Sequence, residues 1–402
     1  MKTILLLGGS RQQVPVIEKA RELGLRTVLM DYLPDNPGKD YADKWYPEST
    51  TDVEKVLEIA KAEDAIGILA YASDPAALPA AIVCEQLGLP TNPVRAVEIL
   101  GVKHKFRKYL KDSGFPCPGN VTFSKSDNIS EIKARIKSAL SFPIVIKPTD
   151  SSGSKGVSFL QNEGEIEKAL EGAEKYSRNG ILIAEEFIER KVPEVIGGDI
   201  FVEDGEITLF GEMGCLRGDG GKSLIPIGKK KNINLTLQQK ANLHDSLSKL
   251  VKALGLKFGE LNIEVLIDKF DQPHFLEVGP RAGGNMIPIQ LSDAFGVDLP
   301  MANVKVAIGE KADLKPKEPA NSFMTYVVHS LEDGFFEDVD FHPNITPYIY
   351  RKVIYLSSGD KVEKFDGAGK AVGIIFMKFP DDDTMNSFGE RITDLIKVRL
   401  RK

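Results

Sequence analysis

The first ninety residues alternate short apolar runs with helical patterns, and this alternation constrains the fold more than any other feature of the chain. Three of these runs read as buried strands, namely residues 3–7 (TILLL), 26–31 (RTVLMD) and 65–71 (AIGILAY). A helical pattern between the first two ends at Gly24, and residues 75–88 form another helix that ends at a glycine. Strands that alternate with helices predict a parallel sheet with right-handed crossovers.

Composition and charge exclude several classes of protein. The chain has 402 residues, 27% charged and 42% hydrophobic, enough for two or three domains at about 150 residues each. A formal net charge of −6 gives no general attraction to nucleic acid or to anionic membranes. No apolar run approaches the roughly 20 residues of a transmembrane helix. Three cysteines without CxxC spacing fit a reducing compartment. We therefore expect a cytoplasmic protein with no nucleic-acid or membrane partner.

A lysine in an apolar strand stands directly before a loop of small residues. In FPIVIKPTDSSGSKGV (142–157), strand alternation places Val145 and Lys147 on one face. Burying an ammonium group is costly unless an anion meets it, so Lys147 either reaches solvent at the strand end or faces a bound anion. The small residues that follow let backbone N–H groups approach phosphate oxygens. The pattern favours a phosphate-binding loop, with an ordinary mobile hairpin loop as the alternative.

Two carboxylates face each other in a predicted hairpin. The segments LNIEVLID and HFLEVG read as strands joined by a turn, which places Glu264 opposite Glu277 and Ile267 opposite His274. Opposed like charges destabilise a sheet, so a cation between them would make the pair a binding site. Oxygen ligands suit Mg²⁺ or Mn²⁺ shared with phosphates, and the alternative is a solvated pair on an exposed face. Arg281 lies close enough in sequence to direct its guanidinium at the same phosphates.

Together these features describe an ATP·Mg site, and residues 1–310 resemble the ATP-grasp superfamily of carboxylate–amine ligases. The segment EVGPRAGGN is similar to the amino-acid-ligase-like subgroup. The resemblance implies an α/β and α+β protein with the ATP-grasp fold. Its units are an N-terminal Rossmann-like domain (1–113), a small lid subdomain (114–186), a larger central subdomain with the metal site (187–310) and a C-terminal α+β subdomain (311–402).

The resemblance also implies which residues bind the nucleotide. Lys103, which precedes GFPCPG, matches the first phosphate-binding lysine; the aspartate often found before it is Val102 here, and Lys105 is the alternative in another register. A carbonyl and an N–H from the segment ILIAEEFIE, at Glu185 and Ile188, would contact the adenine edge. The implied nucleotide-binding residues are Lys103, Lys147, Ser152, Gly153, Ser154, Gly156, Glu185, Glu186, Phe187, Ile188, Glu194 on the ribose and Leu266 on the adenine face.

The implied metal ligands are Glu264 and Glu277, and the implied catalytic residues are Arg281 and Lys147. Many members of the superfamily have Glu-x-Asn-x-Arg at the second acid, whereas this chain has Gly279 in place of the asparagine. The number of bound metal ions therefore stays open.

The expected activity is that of a Mg²⁺- and ATP-dependent ligase. It would activate a small carboxylic acid, such as an amino acid, as an acyl phosphate and couple it to an amine with release of ADP and phosphate. Its partners would be ATP and small-molecule carboxylate and amine substrates, and a homodimer is left open. The alternatives are a bicarbonate-activating carboxylase or carbamoyl-phosphate-synthase-like enzyme, an ATP-binding protein without turnover, and a dinucleotide-dependent dehydrogenase.

Four weaker signals have ordinary structural interpretations. The loop GGSRQ with Asp31 resembles part of a dinucleotide fingerprint, but a scaffold role is favoured because G-x-G-x-x-G is missing. Residues 71–74 end a strand where α/β sheets bind ligands, but an ordinary strand end is favoured and substrate contact is the alternative. The lysine-rich segment 214–231 is interpreted as a solvated face, with a mobile loop that binds an anionic substrate as the alternative. Cys215 is expected to be a small packed residue.

Overall fold

The computed structural model describes residues 1–151, 153–218 and 225–401. The helices are α1 (Val14–Glu22), α2 (Val53–Ala62), α3 (Asp74–Leu87), α4 (Val94–Gly101), α5 (Lys103–Asp112), α6 (Ile129–Ala139), α7 (Ile166–Glu174), α8 (Leu237–Leu254), α9 (Ile287–Phe295), α10 (Leu299–Ala307), α11 (Asp382–Gly389) and α12 (Ile392–Leu395). The strands are β1 (Thr3–Leu7), β2 (Arg26–Met30), β3 (Lys44–Tyr46), β4 (Ala65–Leu69), β5 (Asn120–Ser124), β6 (Ile144–Pro148), β7 (Ser158–Leu160), β8 (Ile181–Glu186), β9 (Ile196–Glu203), β10 (Glu206–Arg217), β11 (Pro226–Lys231), β12 (Gly259–Ile267), β13 (Pro273–Gly279), β14 (Ser322–Val328), β15 (Gly334–Phe341), β16 (Ile349–Ile354), β17 (Lys361–Val362), β18 (Gly373–Phe379) and β19 (Ile396–Arg401).

The N-terminal part is the parallel sheet that the sequence predicts. Its strand order is β3-β2-β1-β4, and every pair is parallel. The apolar run of β1 is buried along its whole length, as expected for a strand covered on both faces. Helix α3 ends at Gly88, whose φ of +66° is the left-handed conformation that glycine adopts without strain. The prediction of a Rossmann-like first unit is confirmed in its α/β architecture.

The second unit is a small sheet covered by two helices. Strands β5, β8, β6 and β7 form it in that order, and all its pairs are antiparallel. Its core contains Ile132, Ile136 and Leu140, which belong to the apolar stripe seen in the sequence, together with side chains of α7. Ile129, the first residue of α6, is 39% exposed because the helix begins there, outside the core.

An antiparallel sheet of eight strands, counted over the described residues, forms the centre of the molecule. Its order is β13-β12-β9-β10-β11-β14-β18-β16. Strand β14 pairs with β11, so three strands from beyond residue 310 extend the sheet that carries the predicted carboxylate hairpin. The unit boundaries drawn from the sequence stay predictions. At the boundary 310/311, however, β11 and β14 lie on opposite sides in the sequence and are paired in one sheet.

The last helix predicted from the sequence is wrong as a continuous element. Helix α11 ends at Gly389, and α12 begins only at Ile392, with Arg391 at a non-helical φ of −115° between them. Glycine disfavours helix continuation, which accounts for the break. Met385, Ile392 and Leu395 are nevertheless buried together in the C-terminal core, so the apolar pattern predicted burial correctly. Within the described ranges no helix combines the length and apolarity needed to cross a bilayer.

Candidate active site

Three distant parts of the chain meet around Lys103, the first residue of α5. Its ammonium group lies 3.1 Å from Glu277 Oε2 on β13 and donates to the carbonyl oxygen of Ser151 at 2.6 Å. Its backbone N–H donates to the carbonyl oxygen of Thr149 at 2.9 Å. The lysine is therefore anchored between the carboxylate hairpin and the loop of small residues, and its side chain is mostly buried.

The hairpin register is confirmed at the two carboxylates and wrong beyond them. Glu264 lies opposite Glu277, as predicted. The register then shifts by one residue, so His274 faces Leu266 and not Ile267. Leu276 on β13 has no partner on β12, and this bulge-like irregularity causes the shift; bulges commonly lie beside functional sites.

The two glutamates fit a magnesium ion that is shared with phosphates. Glu264 and Glu277 are directly opposed across β12 and β13, and proteins often bind Mg²⁺ through one or two carboxylates plus substrate phosphates. Among the described residues no group of three or more His, Cys, Asp or Glu side chains could enclose a metal ion without such help. Gly279 lies under the Arg281 guanidinium, and a Cβ there would lie 3.1 Å from its Cζ atom.

Lys147 is buried against an anion from the protein itself. Its Nζ lies 2.5 Å from Glu185 Oε2, and Arg107 Nε lies 2.7 Å from Glu185 Oε1. Burial would raise the pKa of Glu185, but Arg107 and Lys147 outweigh this effect and lower it to about 2. Burial lowers the pKa of Lys147, because an ammonium group loses its hydration there; Glu185 opposes this effect, and the neighbouring Arg107 adds to it. This buried cluster carries one excess positive charge, which a further anion can compensate.

Replacing Arg107 by methionine is expected to reduce the free energy of unfolding by about 3 kcal/mol at pH 7, because the fully buried guanidinium contacts both Glu185 and the carbonyl oxygen of Leu276, and methionine can make neither contact. With its pKa depressed, Glu185 stabilises the fold above about pH 4.5, and this contribution fades as the pH falls toward 2. Urea denaturation at pH 7 and pH 3.5 would therefore show a smaller difference between variant and wild type at the lower pH.

The matched control is Lys108→Met, which removes an exposed ion pair with Asp112 on the same helix and should cost less than about 1 kcal/mol. Equal losses in the two variants would contradict the structural role assigned to Arg107.

Arg281 joins the hairpin to the N-terminal domain. Its Nε and Nη2 donate to the two carboxylate oxygens of Asp74 at 2.7 and 2.8 Å, and Nη1 donates to the carbonyl oxygen of Ala282. Burial opposes the charge of Arg281, but Asp74 outweighs burial and raises its pKa above the usual value. Asp74 belongs to the segment 71–74, where the sequence left substrate contact as the less favoured alternative, and the structure places it against Arg281.

The loop after β6 has the backbone of a tight anion-binding turn. Gly153, Ser154 and Gly156 have φ values of +68°, +60° and +73°. An added Cβ at Gly156 would lie 3.1 Å from the Cα of Ala173, so a larger side chain would crowd α7. Ser152, which the sequence also assigned to this loop, lies outside the described residues.

Apolar side chains form a cluster beyond the end of β8, where the resemblance places the adenine. In this cluster the buried side chains of Val195, Cys215 and Leu266 pack together, with Ile188 and Leu276 against them. The neighbouring backbone N–H groups of Glu186 and Phe187 donate to the carbonyl oxygens of Gly119 and Pro143. They are therefore engaged within the lid. The adenine contacts expected of Glu185 and Ile188 stay predictions.

Glu194, the predicted ribose contact, pairs with Lys230, which also reaches helix α11. Lys230 Nζ is 2.8 Å from Glu194 Oε1 and donates to Asn386 Oδ1 at 2.9 Å. Burial would raise the pKa of Glu194, but Lys230 outweighs it and the pKa is lowered. The carboxylate is therefore charged and could accept hydrogen bonds from hydroxyl groups.

The lysine-rich segment is not the solvated face that the sequence suggested. Lys229 and Lys231 are each 6% exposed, because they alternate with Lys230 along strand β11 and point inward. Lys229 Nζ lies 2.8 Å from Cys215 Sγ, and Glu264 contributes to its charge environment. Sequence reasoning missed Lys229 as a site residue, although the strand pattern of PIGKKK could have indicated it. Residues 219–224 of this segment, including Lys222, lie outside the described residues.

Asp31, the residue that resembled part of a dinucleotide fingerprint, is engaged in local structure. One of its carboxylate oxygens accepts from the backbone N–H of Gly9 at 2.7 Å, and the other accepts from Leu33 at 2.9 Å. These contacts support the scaffold interpretation of the GGSRQ loop.

Comparison with known proteins agrees with this geometry. Residues 103–315 match the model of the carbamoyl-phosphate synthase L chain, ATP-binding domain. The chain is 26% identical over 297 residues to the carbamoyl phosphate synthase large chain of Thermotoga petrophila, covering 72% of this chain and 26% of that protein. It thus spans about a quarter of the length of this relative.

Two solved structures share the fold along the whole chain. The L-amino acid ligase of Bacillus licheniformis has a TM-score of 0.82 at 18% identity, covering 100% of this chain and 99% of that one. The phosphoribosylglycinamide synthetase of Anaerococcus prevotii has a TM-score of 0.76 at 20% identity and covers both chains completely.

Proposed function

Because the chain belongs to the ATP-grasp family, through its match to the ATP-binding domain of the carbamoyl-phosphate synthase L chain, we propose that it is an ATP- and Mg²⁺-dependent ligase. In this proposal ATP phosphorylates a small carboxylic acid, and an amine then displaces phosphate to form a C–N bond. A cytoplasmic location and a homodimeric state are part of the same proposal.

The observation that carries this proposal is the position of Lys103. One ammonium group contacts both the metal-type carboxylate Glu277 and the carbonyl oxygen of Ser151 in the loop of small residues. A phosphate at this position would receive backbone N–H groups from the loop, the ammonium group of Lys103 and a Mg²⁺ ion bound by the carboxylates. The excess positive charge of the cluster formed by Lys147, Arg107 and Glu185 favours the same anion.

The proposed chemistry is mostly positioning and charge compensation. The phosphates would be bound by Lys103, Lys147 and the loop at Gly153–Gly156. The metal ligands would be Glu264 and Glu277, and the Mg²⁺ they hold would neutralise phosphate charge. Arg281 would stabilise charge on the transferred phosphoryl group, since it follows β13 by two residues and is close enough to Glu277 to feel its charge. Closure of the lid sheet would exclude the water that hydrolyses an acyl phosphate.

Two substrate classes are supported by different observations. The whole-chain likeness to an L-amino acid ligase, which includes the C-terminal strands, favours an amino acid as the carboxylate. The matched family model and the carbamoyl phosphate synthase relatives favour bicarbonate as a second candidate.

The first test measures phosphate release from ATP·Mg²⁺ against a panel of amino acids, with and without bicarbonate. Stimulation by an amino acid, with formation of an amide product, is the expected result. Stimulation by bicarbonate alone would select the second candidate. A thermal shift should accompany binding, with about 2.7 kcal/mol of stabilisation at a hundredfold excess over the dissociation constant. The absence of both phosphate release and a thermal shift would contradict the proposed function.

A further inference from the structure

Asp199 and Glu260 form a pair of buried carboxyl groups in the central sheet. Asp199 on β9 is 0% exposed, and Glu260 on β12 is 3% exposed. Asn262 lies directly opposite Asp199, and Glu260 stands two residues before Asn262 on the same strand, so the two carboxyls share one face of the sheet. They are within hydrogen-bonding reach of each other. Two acidic groups therefore meet in the interior.

Three of the four carboxyl oxygens accept a hydrogen bond from a neighbouring N–H group. Asp199 Oδ1 accepts from Asn262 Nδ2 at 2.8 Å, and Oδ2 accepts from the backbone N–H of Gly283 at 2.7 Å. Glu260 Oε2 accepts from Asn303 Nδ2 at 2.6 Å. Glu260 Oε1 is buried and has no hydrogen-bond partner in the described part of the chain. Two ionised carboxylates contain acceptors only, whereas a proton on Oε1 makes it a donor to Asp199.

Two cations and a tyrosine lie around the pair. Arg281, which follows β13, acts on both carboxyls, but its guanidinium is bound to Asp74. Lys229 on β11 interacts with Asp199, and no ion pair joins either cation to the two carboxyls within the described residues. Tyr71, which follows β4, interacts with both carboxyls, and its buried hydroxyl has no partner among those residues. No cation of the described chain is therefore bound to the pair to cancel a second negative charge.

These surroundings favour one proton on the pair at neutral pH. Burial raises the pKa of Glu260 well above its ordinary value, and the charge of Asp199 raises it further. Burial raises the pKa of Asp199 as well, but the donors Asn262 and Gly283 stabilise its charged form. Glu260 therefore holds the proton, and Asp199 holds the charge.

The pair anchors the segment that carries Arg281. Asp199 accepts from the N–H of Gly283, two residues after Arg281, and the N–H of Asn262 donates to the carbonyl oxygen of Arg281 at 3.0 Å. An added Cβ at Gly283 would lie 2.5 Å from Asp199 Oδ1, so glycine is what allows this close approach. The backbone from which the guanidinium extends is thus held at Arg281 itself and two residues later.

We propose that Asp199 is a positioning residue for Arg281 and that it acts in a pair with Glu260 that shares one proton. Asp199 accepts the N–H groups that shape the segment, and Glu260 donates the shared proton to Asp199. Loss of this proton leaves two buried anions that repel each other, which displaces Asp199 and the segment it holds. The inference rests on the proposed function for its effect on turnover, whereas the shared proton is tested without ATP.

Two amide variants separate the roles of the pair. In Asp199→Asn a single amide oxygen remains for the donors Asn262 and Gly283, so one N–H group loses its acceptor. We expect kcat to fall at least tenfold while the KM for ATP stays within about twofold, because Arg281 acts on the transferred phosphoryl group. In Glu260→Gln the amide N–H donates to Asp199 in place of the proton, and this conservative variant should keep kcat within about twofold at pH 7.

The shared proton is tested by thermal denaturation of the ATP-free protein from about pH 5 to about pH 9. An acid whose pKa is raised by folding stabilises the native state at low pH, and this contribution is lost as the pH rises above the ordinary glutamate value of 4.5. Glu260→Gln has no such proton to lose. We therefore expect its melting temperature to rise relative to the wild type as the pH increases. Glu206→Gln, which alters an exposed glutamate of the same sheet, should show a constant difference.

A melting-temperature difference between Glu260→Gln and the wild type that stays constant with pH, or that grows in favour of the wild type, would overturn the shared proton. Normal kcat in Asp199→Asn, or a KM for ATP that rises as much as kcat falls, would overturn the positioning role. If Asp199→Asn does not fold, Gly283→Ala replaces it, since its Cβ meets Asp199 from the other side and should lower kcat in the same way. The expected pH dependence in a protein without ATP turnover would overturn the proposed function and the role at Arg281, but retain the proton-sharing pair.

Discussion

Replacing Lys147 by methionine is expected to reduce ligase turnover at least a hundredfold and to weaken ATP binding, while the protein still folds. The ammonium group lies 2.5 Å from Glu185, which Arg107 also contacts, so the cluster has one positive charge more than its carboxylate neutralises. A phosphate would supply the missing negative charge. Methionine removes this excess, and loss of one preorganised charge contact typically slows catalysis by two to three powers of ten.

The stability of Lys147→Met should change less than that of Arg107→Met. Arg107 stays on Glu185 in the lysine variant, so no buried charge is left alone, and the desolvation penalty of the ammonium disappears. Isothermal titration with ATP·Mg²⁺, steady-state phosphate release and urea denaturation measure the three quantities.

Lys133→Met is the matched control for Lys147→Met, because this lysine lies on the same lid and its partner Glu167 is exposed. We expect normal turnover from it. Unchanged ATP affinity and rate in Lys147→Met would remove Lys147 from the site.

Local patterns in the sequence predicted which strand carries a given side chain better than they predicted which residue of another strand that side chain contacts. The alternation in FPIVIKP placed Lys147 on a strand and left open whether it reaches solvent or faces an anion, and the structure buries it. The anion that meets it, Glu185, comes from a strand that is adjacent only after the lid sheet forms. Cross-sheet partners of this kind depend on strand order, which a single sequence does not fix. The same reason explains why the Cys215–Lys229 contact was missed.

The hairpin shows how far register can be predicted. A symmetric turn gave Glu264 opposite Glu277 correctly, but it could not reveal the bulge that moves His274 opposite Leu266. An extra residue in one strand leaves no mark in an apolar pattern this short. Similarly, the pattern of the last helix predicted which side chains are buried but not the break after Gly389.

Replacing Glu277 by glutamine is expected to raise the Mg²⁺ concentration needed for half-maximal turnover at least tenfold and to cut the maximal rate about a hundredfold. The substitution keeps the shape of the side chain and removes one of two opposed anionic ligands, which leaves Glu264 alone to hold the ion. Phosphate release measured across a Mg²⁺ titration gives both quantities.

The same variant should leave the metal-free protein nearly as stable as the wild type. Two effects of Glu277→Gln oppose each other: it relieves repulsion between two opposed carboxylates, and it weakens the 3.1 Å contact with Lys103. Glu277 is 29% exposed, and contacts of partly exposed ion pairs are worth less than about 1 kcal/mol, so the net change in unfolding free energy should stay within that range.

A charge-matched control for Glu277→Gln is Glu206→Gln. Glu206 is an exposed residue of the same central sheet, and its ion-pair partner is Lys252 on α8. We expect Glu206→Gln to have normal Mg²⁺ dependence. A purely structural carboxylate pair predicts the reverse for Glu277→Gln, with a lower melting temperature in the absence of metal and an unchanged Mg²⁺ requirement. That combination would remove the metal site, and with it the arrangement of phosphate, lysine and carboxylate on which the ligase proposal depends.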